Sequence, residues 1–315
     1  MAASTEPIPE LLADRLAVGR DASLWRDTLG NVLRQRSAVI GLAILAVLVL
    51  TAIFADVIAT HDPELGLLNA EPGVERRDAP CIHALGCPTS KPQHLLGTDG
   101  NFRDVFSRLV HGARISLQVG FLTVGFAILI GAVIGATAGY VGGFLDNVLM
   151  RLMDVLLAFP SLLLAIAILA ALGPGLLNAQ LAIGIVAIPI YARVMRAAVL
   201  SVRDLDYVTA SRALGESSVG LLVRRVVPNS LTPMIVQGTL GIGVALLDVA
   251  ALSFLGLAAE PKIPEWGAMI GSERNQLFSA PHLILAPGFA ITLVVLGFNL
   301  LGDGLRDALD PRLNR

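Results

Sequence analysis

Six apolar stretches of 19 to 27 residues, at about 37–59, 115–140, 148–172, 178–200, 231–257 and 283–301, run through this chain of 315 residues. At about 1.5 Å per helical residue the first is about 34 Å long, enough to cross the hydrocarbon core of a bilayer. Only 15% of the residues are charged, against about a quarter in soluble domains, and the mean hydropathy is +0.73. Aromatic residues make up 5%, so Ala, Leu, Val and Ile carry the apolar character. No ten-residue alternating pattern of a membrane barrel is present. The fold class read from these features is an all-α integral membrane protein with about six transmembrane helices.

The formal net charge of −2 gives no case for nucleic acid or for a polybasic lipid anchor. The first apolar run begins near Ser37, after a polar tail, and is too long for a signal-peptide core. The tail is expected to stay in the cytosol, with 25–36 as an interfacial helix. Arginine placement sets the orientation. The tail carries Arg15, Arg20, Arg26, Arg34 and Arg36; the region after span four carries Arg203, Arg212, Arg224 and Arg225; the C-terminal end carries Arg306, Arg312 and Arg315. Six spans put these three regions on one side, read as cytosolic. Arg76, Arg77, Lys91, Arg103 and Arg108 in the long loop run against the count, but long loops translocate largely regardless of charge.

Ala127, Gly131, Gly135 and Gly139 recur every four residues in span two, a small-residue face that lets another helix approach closely. Lys91 and Lys262 are the only lysines, and neither follows a glycine, so no Walker A loop is present. A His-Glu-x-x-His helix is also absent. His61, His83, His94, His111 and His282 all fall in segments predicted to lie outside the spans. No metal site is expected, and an intramembrane metalloenzyme is disfavoured. Cys81 and Cys87 sit six residues apart in the long loop, which in an oxidising compartment reads as a disulfide. A metal site built from both sulfurs and His83 lacks a fourth ligand.

The segment 206–229 joins spans four and five. It reads as a short amphipathic helix ended by Gly215, then a second short helix capped by Ser217 or Ser218 and closed by Pro228. Two short helices joined by a sharp turn suit docking into a groove on a soluble partner. This segment resembles the EAA loop of ABC importer permeases, with Ala210, Gly215 and Pro228 at the matching positions. Thr209 stands in place of the acidic residue and Ser211 in place of the second alanine.

The likeness covers most of the chain. His94-Leu95-Leu96-Gly97-Thr98-Asp99, Arg103-Asp104-Val105-Phe106-Ser107-Arg108 and Gly112-Ala113-Arg114-Ile115-Ser116-Leu117 resemble the C-type subunit of the dipeptide/oligopeptide/nickel permease family. So do Ala251-Leu252-Ser253-Phe254-Leu255-Gly256-Leu257, Trp266-Gly267 and the run 299–311. Phe102 departs from the family, which usually has glycine there.

The resemblance implies the type I ABC importer (MetI-like) permease fold. It divides the chain into a cytosolic tail (1–36), the first transmembrane helix (37–59), an external loop (60–112), a five-helix core (113–303) containing the cytosolic coupling loop 201–229, and a cytosolic C-terminal tail (304–315). It implies a bacterial inner-membrane subunit that pairs with a B-type permease, two ABC ATPases and an extracytoplasmic binding protein, importing di- or oligopeptides. Nickel chelates and glutathione are alternative substrates within the family. ATP and magnesium belong to the partner ATPases; this chain needs no cofactor and performs no covalent chemistry. Tyr207, Ala210, Arg212, Gly215, Glu216 and Pro228 are the expected coupling residues. Asp248, where family members commonly carry glutamate, has two open roles: facing a substrate amine or pairing with an arginine on a neighbouring helix. Gln237, Thr239 and Gln118 are weaker pathway candidates, read first as helix-to-helix hydrogen bonders. Asp154 is expected to pair with Arg151 or Arg193, and the loop containing the cysteines to lie near the docked binding protein. An ion-coupled secondary transporter is the rival reading; it predicts interrupted helices with inverted-repeat symmetry.

Overall fold

The computed structural model describes Gly30 and residues 32–309. Arg15, Arg20, Arg26, Arg312, Arg315 and half of the expected interfacial helix 25–36 lie outside that range. Helix α1 (Arg36–Ile53) continues after Phe54 into the short α2 (Ala55–Ile58). The long loop follows, and then α3 (Val105–Val141), α4 (Gly143–Leu157), α5 (Ser161–Leu172) and α6 (Leu176–Val202). Helix α7 (Asp206–Ala213) leads through residues 218–229 to α8 (Leu231–Phe254). Helices α9 (Trp266–Glu273) and α10 (His282–Leu309) complete the chain.

Five of these helices are long and apolar enough to cross a membrane, and the pair α4 and α5 makes a sixth span if counted together. That pair corrects the expected continuous span 148–172, because the two helices meet at 93°. The break falls at Phe159-Pro160. Pro160 has no N–H to continue the helix and disfavours helical backbone at the residue before it, so the chain restarts at Ser161. The turn at Gly173-Pro174-Gly175 uses φ values of +90° and +140° at its two glycines, a backbone that only glycine adopts without strain.

Helix α3 begins at Val105, ten residues before its expected start at Ile115. Asp104 accounts for this: its carboxylate accepts the Ser107 N–H at 2.7 Å and caps the helix. At 37 residues the helix is about 55 Å long, well beyond a hydrocarbon core of about 30 Å. His111 therefore lies within a helix rather than in the loop, and His282 is the first residue of α10. At the other end of the chain, the run from Asn299 extends α10 to Leu309, past the expected stop at Leu301.

Helix α3 packs along α6, and α10 lies between α1 and α8. The small-residue face makes the first contact close. A Cβ added at Gly131 would meet Tyr191 Cβ at 2.7 Å and Ile188 O at 2.9 Å, and one at Gly135 would fall on Ala192 O. Close backbone approach of this kind is how helices associate where lipid supplies no hydrophobic drive.

The long loop folds into a cap over one end of the bundle. Cys81 and Cys87 form a disulfide within it, while His83 Nε2 bonds Lys91 O at 2.9 Å, so neither sulfur nor that ring is arranged for a metal. The arginines read as loop charges are structural. Arg108, at 2% exposure, donates to the carbonyls of Pro63, Pro261, Lys262 and Ile263. Arg103 bonds Asp99 Oδ2 and Pro261 O, both at 2.8 Å. These bonds fasten the start of α3 to the segment before α9. Trp266 closes the joint by donating Nε1–H to Leu109 O at 3.0 Å, over Gly112, whose missing Cβ makes room for the indole.

Candidate functional site

Two regions hold most of the residues singled out from the sequence: a cavity among the spans and the segment 206–229 at the end of the bundle opposite the cap. The cavity, about 200 Å³, is bounded by α3, α6, α8 and the break between α4 and α5. Its wall is mostly apolar, with Thr123, Ser161, Tyr191, Gln237 and Asp248 as the polar groups. The Pro160 break brings Phe159 and Ser161 to the cavity rather than leaving them inside a straight span. Phe159, Ser161 and Tyr191 were not legible as site residues, since each follows from the bend or from helix packing and not from a motif.

Asp248 and Gln237 thus face one cavity. Asp248 is half-buried, and among the described residues no basic side chain makes an ion pair with it. The arginines of the neighbouring helix are engaged elsewhere: Arg193 with Asp154 at 2.6 Å, and Arg196 with both carboxylate oxygens of Asp146 at 2.6 Å. Arg193 is therefore the partner of Asp154. Thr239 does not line the cavity and does not bond a second helix; its hydroxyl donates to Ile235 O one turn back, at 2.9 Å. Gln118 is exposed on α3, away from the cavity. Of the four pathway candidates, the structure brings Asp248 and Gln237 to this cavity.

In the segment 206–229, α7 ends at Ala213 with Leu214 as its C-cap, and Gly215 takes φ +88°. The Gly215 N–H bonds Arg212 O at 3.0 Å and the Glu216 N–H bonds Ser211 O at 3.2 Å, which together satisfy the last carbonyls of the helix. Ser217 is the cap of the second helix, accepting the Gly220 N–H at 3.2 Å. That helix widens into a π-helical turn over Leu221–Val226. Pro228 does not close it: the proline sits in the last short turn, Val227–Asn229, which leads on toward α8. Its missing N–H is accommodated where the helical register already changes.

Val208, Leu221 and Val226 are fully buried and hold the two short helices together. Arg225 Nε donates to Glu216 Oε2 at 3.3 Å, and Tyr207 Oη donates to Arg225 O at 3.4 Å. Ala210, Arg212, Gly215 and Pro228 are exposed. So are Leu214, at 89%, Val219, at 73%, and Val223. Three apolar side chains on a polar helical pair form a surface suited to a protein partner rather than to water.

Comparison with known proteins places these features in one context. The family model described as "Binding-protein-dependent transport system inner membrane component" matches residues 128–315. A second, "N-terminal TM domain of oligopeptide transport permease C", matches residues 23–79. A dipeptide transport system permease protein of Alkalihalophilus pseudofirmus is 45% identical over 291 residues, 92% of this chain and 91% of the relative. The dipeptide transport system permease protein of Escherichia coli K12 is 46% identical over 282 residues, 90% and 91% of the two chains. A glutathione transport system permease protein of Pectobacterium atrosepticum is 39% identical over 305 residues, 95% of each. Among solved structures, a chain of the MetNI methionine ABC transporter in an inward-facing conformation superposes with a TM-score of 0.53 at 19% identity. That superposition covers 65% of this chain and 98% of the other, and it shows a shared fold.

Proposed function

The chain belongs to the inner membrane components of binding-protein-dependent transport systems, and from that premise we propose that it imports dipeptides as the C-type half of a heterodimeric permease. A B-type permease supplies the other half of the path, and two cytosolic ABC ATPases, holding ATP and magnesium, dock on the segment 206–229. An extracytoplasmic binding protein delivers the peptide to the capped end of the bundle. The N- and C-terminal tails then lie in the cytosol. The chain needs no cofactor of its own.

The observation that carries this reading is the helical pair hinged at Gly215, which presents Leu214, Val219 and Val223 to solvent between α6 and α8. Closure of the ATPase pair on ATP moves that pair as a lever. Because Val208, Leu221 and Val226 lock it into one unit, the motion passes to α6 and α8, which both line the cavity. Rocking of packed helices is a recognised switching mode. Asp248 supplies an unpaired carboxylate to the path and attracts the peptide's ammonium group. A charged group within a span is costly, and such groups tend to mark functional positions. Dipeptide is preferred over glutathione because the relatives of higher identity are named for dipeptides.

The test is ATPase activity of the reconstituted four-subunit complex with its binding protein, comparing wild type with Gly215→Pro. Dipeptide is expected to stimulate the wild-type complex. Proline cannot adopt the positive φ at this turn, so the variant is expected to assemble and lose the stimulation. Stimulation that survives in the variant removes the coupling role from this turn. Stimulation by glutathione and not by dipeptides removes the substrate assignment.

A further inference from the structure

Outside the cavity and the coupling segment, the cap brings together three side chains of metal-ligand type. His61 follows α2, Glu71 lies ten residues later, and His94 lies 23 residues beyond that. His61 Nε2 stands 2.9 Å from Glu71 Oε1, and His94 Nε2 stands 3.5 Å from Glu71 Oε2. All three ligand atoms fall within 4.8 Å of one another.

The orientation of His94 gives this cluster its meaning. The residue is 1% exposed, and its Nε2 is a buried nitrogen with no hydrogen-bond partner. Buried polar atoms are nearly always satisfied, so an orphan marks a position for something else. Its other nitrogen, Nδ1, lies 3.0 Å from Oδ1 of the fully buried Asp104. A carboxylate accepting the Nδ1 proton leaves the Nε2 lone pair directed at Glu71, the arrangement that orients a ligating imidazole. His61 is set in the same way, with Nδ1 2.8 Å from Thr60 Oγ1 and Nε2 toward Glu71. Nitrogen and oxygen ligands about 2.0–2.1 Å from a tetrahedral cation stand about 3.3 Å apart. The two imidazoles stand 2.9 and 3.5 Å from separate oxygens of the Glu71 carboxylate, and one donor atom from each of the three residues falls within 4.8 Å of the others, so a small rotation of the carboxylate brings them to that spacing.

We propose that His61, Glu71 and His94 bind one divalent transition cation of the zinc class, with Asp104 as the residue that positions His94. Two imidazoles and one carboxylate suit zinc and its neighbours rather than calcium or magnesium, which take oxygen ligands. The side chains of His61 and Glu71 are 19% and 31% exposed, so the ion enters from the outer side, and water completes the fourth position. The cation fastens the chain leaving α2 to the cap of α3, since Asp104 belongs to both the His94 contact and the helix start.

The test uses the full-length chain, tag-free in detergent, stripped with a chelator and titrated with zinc chloride by calorimetry. Metal content is read by mass spectrometry and ligand type by X-ray absorption. One zinc per chain is expected, unaffected by excess magnesium, with imidazole nitrogens in its shell. His61→Ala and Glu71→Gln lie on the partly open side and keep the fold; each is expected to weaken zinc binding at least about tenfold. Asp104→Asn is expected to weaken it about 10–100-fold while leaving one site. No uptake by wild type, or undiminished affinity in both His61→Ala and Glu71→Gln, overturns the proposal.

Discussion

Arg77 Nε donates to Glu273 Oε2 at 2.7 Å, joining the long loop to the end of α9 across 196 residues of chain. The other oxygen of Glu273 accepts the Gly100 N–H at 2.8 Å, and the carboxylate is nearly buried. Glu273→Ala strips a buried N–H and a guanidinium of their acceptor together, so a loss of about 2–3 kcal/mol is expected. Glu273→Gln keeps an acceptor for Gly100 and is expected to cost less. Thermal unfolding in detergent ranks the two, and hydrogen exchange at residues 97–101 locates the effect. Unchanged exchange there in Glu273→Ala would mean that the cap does not depend on this link.

Phe102 occupies the position where the resembled family usually has glycine, and its φ is +60°. For a residue with a Cβ that backbone costs about 1–2 kcal/mol. The surrounding bonds enforce it: Asp99 Oδ1 accepts the N–H of Asn101 at 2.7 Å and of Arg103 at 2.9 Å, and Asp99 O accepts the Phe102 N–H at 3.1 Å. Phe102→Gly trades a half-buried ring for relief of that strain and is expected to stay within about 1 kcal/mol of wild type. Phe102→Val keeps the strain and adds a β-branch, so it is expected to lose about 1–2 kcal/mol more than Phe102→Gly. Equal stability of the two variants in a chemical denaturation series would contradict the backbone account.

Gly135 and Gly125 sit on the same helix in opposite surroundings. A Cβ at Gly135 would fall on the backbone of α6, whereas one at Gly125 meets nothing within 4 Å in this chain. Gly135→Ala must push α3 from α6 and is expected to cost about 1–3 kcal/mol. Gly125→Ala is expected to be neutral or stabilising by up to about 1 kcal/mol. Unfolding of the solubilised chain measures both, and a tolerated Gly135→Ala alongside a damaging Gly125→Ala would invert the assigned packing.

The spans were legible because the bilayer allows few solutions: an apolar run of about twenty residues satisfies its backbone there as a helix. The break at Pro160 was written in the sequence too, but hydropathy continues across it, and an average over residues hides a kink. Gly215 as a cap, and a second cap at Ser217 or Ser218, were legible because capping is local chemistry. The cap at the other end was not, since Arg108 reads as a loop charge until Pro261 and Ile263 come within reach of it. His61, Glu71 and His94 carry no motif spacing at all; only the fold of the loop brings them together. Asp248 and Gln237 share a cavity while Gln118 and Thr239 do not, because helix rotation decides which face a polar residue takes and hydropathy is blind to rotation.

Glu265 caps α9 through its carboxylate, accepting the Gly267 N–H at 2.9 Å and the Ala268 N–H at 2.8 Å. Burial nonetheless pushes this carboxyl above the usual glutamate range, outweighing the two backbone bonds that favour its charge. A carboxyl whose pKa is raised by folding holds its proton more tightly in the folded chain than in the unfolded one. Its contribution is therefore fully present below the unfolded pKa and is lost as pH rises through the folded value. Glu265→Gln does not titrate, so the substitution removes that dependence, although it also removes one of the two cap bonds. Relative to wild type, the glutamine variant is expected to gain stability steadily from about pH 4.5 upward until the folded pKa is passed. Thermal unfolding of both proteins across that range measures the gap. A gap that is constant with pH, or that moves toward wild type as pH rises, would show that the cap bonds and not burial set the state of this carboxyl.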